Sequence, residues 1–128
     1  MIQILFPKLS YQITGLCFEV HNKLGRFCRE KQYADILEDT LKQKQLPYKR
    51  EVKLAGLVDG NRADFLIDNK IIVELKAKKF ITKEDYNQIQ RYLQVNNIEL
   101  GLIVNFRNVY LKPKRILNTK MYSDNSDA

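Results

Sequence analysis

The chain has 128 residues, of which 45% are hydrophobic and 29% charged, and these values exclude a disordered chain and favour one domain. The net charge of +7 is typical of proteins that bind a polyanion, although an ordinary basic surface would give the same value. No apolar run approaches the roughly 18 residues of a membrane span, and the N-terminus lacks the features of a signal peptide, so we expect a cytoplasmic protein without a membrane partner.

Apolar residues at helical spacing predict two helices in the first third of the chain. We expect the first helix to begin with Ser10 as its N-cap and to end at Gly25. The second helix is expected from about Arg29 to Gln45, and Pro47 follows it as a stop signal.

A third helix is predicted from a capping box formed by Thr82 and Asp85 to about Asn96. The strands are predicted at 48–54, 61–67, 71–77, 99–106 and 109–116, with a turn between the first two that contains two glycines, an Asp and an Asn in "GLVDGN" (56–61). The order α-α-β-β-β-α-β-β predicts an α/β sandwich around a mixed sheet. We expect one domain over 1–117 and a polar, frayed tail over 118–128.

The segment "RADFLIDNKIIVELKAKK" (62–79) places charged residues inside an apolar hairpin, where burial is costly unless they are paired or bind a metal. By strand alternation Glu74 and Lys76 share one face, and Asp64 shares its face with Leu66. A two-residue loop would set Asp64 opposite Val73, whereas a three-residue loop at 68–70 sets it opposite Glu74. We predict the three-residue loop, because Asn tolerates the left-handed conformation that such a loop needs.

Two carboxylates at cross-strand distance repel each other, and a divalent cation removes that repulsion. Oxygen ligands suit Mg²⁺ or Mn²⁺, so we predict such an ion between Asp64 and Glu74. Lys76 could then orient a water molecule or stabilise negative charge on a phosphate. An ordinary Glu-Lys pair on a half-exposed strand explains the same residues without a metal.

Three further residues suggest a site. Glu30 precedes Tyr33 by three positions and therefore shares the helix face that packs on the sheet, where a carboxylate is unexpected. Gln88 and Tyr92 are four positions apart on the third helix. Taken singly, Gln88 is better explained as a solvated residue and Tyr92 as a core aromatic, but the set is more specific than its members.

The Asp, the Glu-x-Lys and the Gln-x-x-x-Tyr in this order resemble the PD-(D/E)XK nuclease superfamily. The stretches "LSYQITGLCFEVHNKLG", "REKQY" and "RADFLIDNKIIVELKA" more closely resemble its GxxExxY proteins, over about Leu9 to Leu117. The glycine that names that group falls at Phe27 here, with Gly25 two residues earlier, and Ala63 replaces the superfamily's proline.

The resemblance implies a restriction-endonuclease-like fold and a set of roles. Asp64 and Glu74 would hold Mg²⁺ or Mn²⁺, with Glu30 as an accessory acidic ligand, and Lys76 would assist the attacking water. Gln88 and Tyr92 would shape the phosphate side of the site. The resemblance therefore predicts a metal-dependent DNA endonuclease or resolvase-like enzyme.

The alternative is a non-catalytic module of the same fold that binds nucleic acid or another partner. Basic residues near predicted strand ends, at 76–79, 112–115 and 49–50, favour a nucleic acid in both cases. The small size leaves open a homodimer or an accessory subunit as the source of specificity. The only histidine, His21, has no second histidine with which to build a zinc site.

Overall fold

The computed structural model describes residues 5–53 and 62–122 of the protein. The described residues form three helices and five strands in the predicted order. These elements are α1 (Pro7–Leu24), α2 (Glu30–Gln43), β1 (Tyr48–Val52), β2 (Ala63–Ile67), β3 (Ile71–Lys76), α3 (Lys83–Asn96), β4 (Leu100–Asn105) and β5 (Lys114–Leu117). The predicted turn between the first two strands lies outside the described residues.

The five strands form one mixed sheet in the order β1-β2-β3-β4-β5. Neighbouring strands are antiparallel except for β3 and β4, which run parallel and are joined through α3. The carboxyl ends of β3 and β4 therefore lie at the same edge of the sheet. The loops that follow these two strands are brought together at that edge.

The two faces of the sheet are covered by different helices. On one face, α1 and α2 enclose the larger apolar cluster, which includes Ile13, Leu37 and Val73. On the other face, α3 covers a smaller cluster that includes Ile72 and Leu93. The alternation of Ile72 and Val73 between the two clusters is what a strand buried on both faces requires. The predicted α/β sandwich is confirmed.

The first helix begins earlier than the sequence predicted. Pro7 is its first residue and Phe6 its N-cap, because the fixed φ of proline is already suited to the first helical turn. Ser10 lies inside the helix, where its hydroxyl donates to the Pro7 carbonyl and accepts a hydrogen bond from Arg115. The predicted end is correct, since Gly25 follows the helix with a φ of 76°.

The last strand is shorter than predicted and lies further along the chain. It spans Lys114–Leu117, whereas 109–113 form a loop before it. Pro113 lacks the N–H that a strand ladder needs, which explains why the strand begins only after it. Val109 and Tyr110 in this loop are exposed.

Packing continues beyond residue 117, where the sequence predicted a frayed tail. Asn118 is fully buried, and its side-chain amide donates to the carbonyl of Leu93 in the last turn of α3 and to that of Ile98 beyond the helix. The Tyr122 hydroxyl donates to the Glu99 carboxylate. None of the helices in the described part of the chain has both the length and the apolar character to cross a membrane.

Candidate active site

The hairpin of β2 and β3 has the three-residue loop that the sequence predicted. Asp68 and Asn69 adopt left-handed backbone conformations, with φ of 53° and 54°, which short polar side chains tolerate. Continuing the register by one pair brings Asp64 opposite Glu74. The observed pairs are Phe65 with Val73, Leu66 with Ile72 and Ile67 with Ile71.

Backbone amides hold both carboxylates in place. The Asp64 N–H donates to Oε1 of Glu74 at 2.9 Å, and the Leu75 N–H donates to Oδ2 of Asp64 at 2.7 Å. Each carboxylate therefore has one oxygen fixed by the partner strand. These bonds give the two acids a defined position at the end of the hairpin.

The strand alternation breaks next to Asp64. Glu51 in β1 has a φ of 52°. Its neighbours Arg50 and Val52 would share a face of a regular strand, but here they lie on opposite faces of the sheet. Arg50 lies over the Phe65 ring in the cluster below α1 and α2, whereas Val52 and Ala63 pack into the α3 cluster. The expectation that Asp64 shares a face with Leu66 is therefore wrong. Leu66 packs under α3, and Asp64 lines a cleft beside α2.

This cleft has a volume of about 270 Å³ and carries three acidic residues. Glu30, the first residue of α2, is exposed and lines it together with Asp64. The expected packing of Glu30 against the sheet is wrong, yet Glu30 still lies at the site. Glu51 lines the same cleft and was missed, since "YKREVKL" offers no signal that one strand residue adopts a left-handed conformation.

Burial makes both central carboxylates difficult to ionise. It raises the pKa of Asp64 to about 6, and the charge of Glu30 adds to the effect. Burial also raises the pKa of Glu74 to about 8, with the neighbouring charge of Asp64 as the second cause. The positive charge of Lys76 opposes both shifts.

Lys76 lies near the carboxylate of Asp85, which the sequence predicted only as part of a helix cap. Its Nζ is 3.8 Å from Oδ1 of Asp85, and Lys78 pairs with the other oxygen of that carboxylate. Asp85 also accepts from the Thr82 N–H in the predicted capping box. Burial raises the pKa of Asp85, but the bonds from Lys78 and Thr82 outweigh this effect and hold the pKa below its ordinary value.

Gln88 and Tyr92 lie on α3, one turn apart. Tyr92 is buried in the α3 cluster, as a core aromatic would be. Burial and then the charge of Glu74 raise the pKa of its hydroxyl, while a hydrogen bond with Gln88 lowers it. Tyr92 therefore belongs to the core and to the surroundings of Glu74 at the same time.

The donor set suits a hard divalent cation that keeps most of its water. Within residues 5–53 and 62–122, no three metal-ligating side chains gather into a ready-made cage. Asp64 and Glu74 offer two carboxylates, each with one oxygen not engaged by the backbone bonds described above. Mg²⁺ is commonly bound by one or two carboxylates, with waters and substrate phosphate completing its shell.

An α/β sandwich whose central hairpin sets an aspartate opposite the glutamate of a Glu-x-Lys strand has the architecture of a restriction-endonuclease-like nuclease domain. A model of the PD-(D/E)XK nuclease superfamily matches residues 7–116, and the chain belongs to that superfamily. Proteins of this superfamily are generally nucleases that use divalent metals. No curated protein and no solved structure gives a significant match.

Proposed function

We propose that the protein is a Mg²⁺- or Mn²⁺-dependent endonuclease that hydrolyses phosphodiester bonds in DNA. The observation that carries this proposal is that Asp64, which lines the cleft beside α2, lies opposite Glu74 and that burial raises the pKa of both. Carboxylates kept in such a costly arrangement, with backbone amides fixing their positions, are suited to binding a cation.

The residues divide the work as follows. Asp64 and Glu74 would hold the metal ion, and Glu30 would act on it through water from the edge of the cleft. When bound, the ion supplies a Lewis acid for the phosphate and a more acidic water. Lys76 orients the attacking water or stabilises the charge that develops on the phosphate. Gln88 and Tyr92 shape the phosphate side.

The test is cleavage of supercoiled and branched DNA with Mn²⁺ or Mg²⁺. We expect Asp64→Asn, Glu74→Gln and Lys76→Ala each to reduce cleavage by roughly 10²-fold or more, the usual scale for losing one such group. Lys76→Ala should weaken DNA binding only modestly, because one phosphate contact among several is lost.

Matched controls lie at the other end of the same hairpin. Asp68 and Lys70 form an exposed ion pair beside the turn, so Asp68→Asn and Lys70→Ala remove the same charges far from the cleft. These two variants should cleave like the wild type. Equal losses in control and site variants would contradict the assignment of the site.

The second candidate is a nucleic-acid-binding module without turnover. Two observations favour it: Glu74 is only 7% exposed, and the Lys76 ammonium lies near Asp85. A wild-type protein that binds DNA but cuts no tested substrate, with Lys76→Ala changing affinity alone, would establish this candidate instead.

A further inference from the structure

Three loops meet beyond the carboxyl ends of β3 and β4 and form a groove of about 560 Å³. They are the α1–α2 loop at 25–29, the β3–α3 loop at 77–82 and the β4–β5 loop at 106–113. The β3–α3 loop directly follows the strand that carries Glu74 and Lys76. The groove is therefore attached to the candidate active site through a short segment of chain.

Each loop contributes one large aromatic side chain that is exposed and lies outside the apolar core. Phe27 is 73% exposed, Phe80 77% and Tyr110 80%, and all three line the groove. Single exposed apolar residues are ordinary, but three exposed rings around one groove mark a binding surface.

The same groove is lined by four cationic side chains and by no acidic one. Two of them lie over the Phe27 ring, with the guanidinium carbon of Arg26 at 4.8 Å and that of Arg107 at 5.5 Å from its centre. The others are Lys79 and Lys112. A ligand that matches this lining has a repeated negative charge and flat π faces.

The groove is held in shape by hydrogen bonds among its loops. Nε of Arg26 donates to the carbonyl of Arg107 at 2.8 Å, joining the first loop to the third. The buried Asn105 joins the second loop to the third: its amide donates to the Lys78 carbonyl, and its oxygen accepts from the N–H groups of Lys78 and Arg107. The rings are therefore presented on anchored backbone.

We propose that this groove binds single-stranded DNA, with bases stacked on Phe27, Phe80 and Tyr110 and phosphates held by the surrounding cations. Duplex DNA offers phosphates but keeps its base faces stacked, so the three rings would gain nothing from it. An acidic peptide would match the charge but not the rings. For its role in catalysis the inference rests on the proposed function: the substrate would carry an unpaired strand beside the cleaved bond.

The test measures binding without cleavage, so that it does not depend on the proposed nuclease activity. A labelled oligothymidine of about 15 nucleotides, near the site sizes known for single-strand binders, is titrated in EDTA by fluorescence anisotropy. We expect Phe27→Ala, Phe80→Ala and Tyr110→Ala each to weaken binding roughly 5-fold or more. Tyr11, on α1 and 82% exposed, provides the matched control, and Tyr11→Ala should bind like the wild type.

Four other ligands complete the test, and two of them are forms of DNA. An abasic oligonucleotide of equal length keeps the phosphates but offers no bases, and a duplex of the same sequence keeps its bases stacked. Both should bind more weakly than oligothymidine and should be insensitive to the aromatic substitutions.

The proposal is overturned if the abasic strand or the duplex binds as tightly as oligothymidine, or if Tyr11→Ala has the same effect as the groove variants. Binding of polyglutamate that depends on the three rings would assign the groove to an acidic protein. An oligouridine that binds much more tightly than oligothymidine would assign it to RNA. A protein that does not bind single-stranded DNA in this groove can still cut DNA, and one that does bind it can be inactive. The groove proposal and the nuclease proposal can therefore be refuted separately.

Discussion

At the scale of single residues, Asp64 and Glu74 dominate the electrostatics of the molecule. Both are carboxylates whose pKa is raised mainly by burial, and the charge of Asp64 adds to the rise at Glu74. Their presence should therefore cost the folded protein stability whenever both are ionised. Such a cost makes sense where binding of a cation offsets it.

The first prediction concerns the stability of the metal-free protein against pH. The pKa values of Asp64 and Glu74 are about 6 and about 8 in the folded chain, against 3.8 and 4.5 for the ordinary groups. The folded state thus holds more protons than the unfolded state over this range, and stability falls as pH rises from about 5 to 8. Thermal melting in EDTA should show a lower midpoint at pH 8 than at pH 5.

The control is the uncharged pair Asp64→Asn/Glu74→Gln. The variant should melt with a much flatter pH dependence over the same range, because the two groups that titrate there are gone. Mg²⁺ at pH 8 should raise the midpoint of the wild type and leave the variant unchanged. Parallel pH curves for the two proteins would show that these carboxylates do not titrate as described.

Some site residues could be predicted from the sequence and others could not. Asp64, Glu74 and Lys76 stand out because charge inside an apolar hairpin has few structural explanations, and the turn residues fixed the register. Glu51 lies at the site because its own backbone is left-handed. Asp85 lies there because this helix-capping residue also pairs with Lys76 and Lys78. Neither feature has a periodic pattern that a sequence could display.

At the scale of elements, the position of α3 over the sheet depends on a glycine in β4. A Cβ at Gly101 would lie 2.6 Å from Cδ1 and 3.1 Å from Cγ1 of Ile89, which is buried on α3. The absence of a side chain lets the helix approach the strand closely. The same helix carries Gln88 and Tyr92, so this contact also sets their distance from the carboxylates.

We therefore predict that Gly101→Ala destabilises the protein by about 1–3 kcal/mol, the usual range for overpacking a core. Urea denaturation would measure this change. Ile89→Val removes Cδ1, the atom closest to the added methyl, so the double variant should recover part of the loss relative to the two single variants. Additive effects of the two substitutions would contradict a direct clash.

The boundaries of the elements were less predictable than their order. The predicted capping box is confirmed, because its two hydrogen bonds join Thr82 and Asp85, which are only three residues apart in the sequence. The start of α1 depends instead on Pro7 after a left-handed Phe6, and a suitable cap at Ser10 competed with it. The loop before β5 resembles a strand in composition, and only Pro113 marks its limit.

At the scale of the whole molecule, the cations behind the net charge of +7 have different roles. Arg50 pairs with Asp35 and Glu38, and Arg115 donates to Ser10 and to the Leu5 carbonyl, so both serve the fold. The predicted basic segments therefore contain both structural cations and cations that line the groove.

The last prediction tests whether placement or net charge governs DNA binding. The four groove cations should each neutralise one phosphate, so the log of affinity for single-stranded DNA should fall with the log of salt concentration at a slope of roughly −3. Lys79→Gln/Lys112→Gln removes two of them and should reduce the slope by about 1.4. Lys42→Gln/Lys70→Gln lowers the net charge equally but changes positions outside the groove lining, and its slope should stay close to that of the wild type. Anisotropy titrations at several salt concentrations give all three slopes. If both double variants reduce the slope by the same amount, binding follows the overall charge of the molecule and the groove has no special part in it.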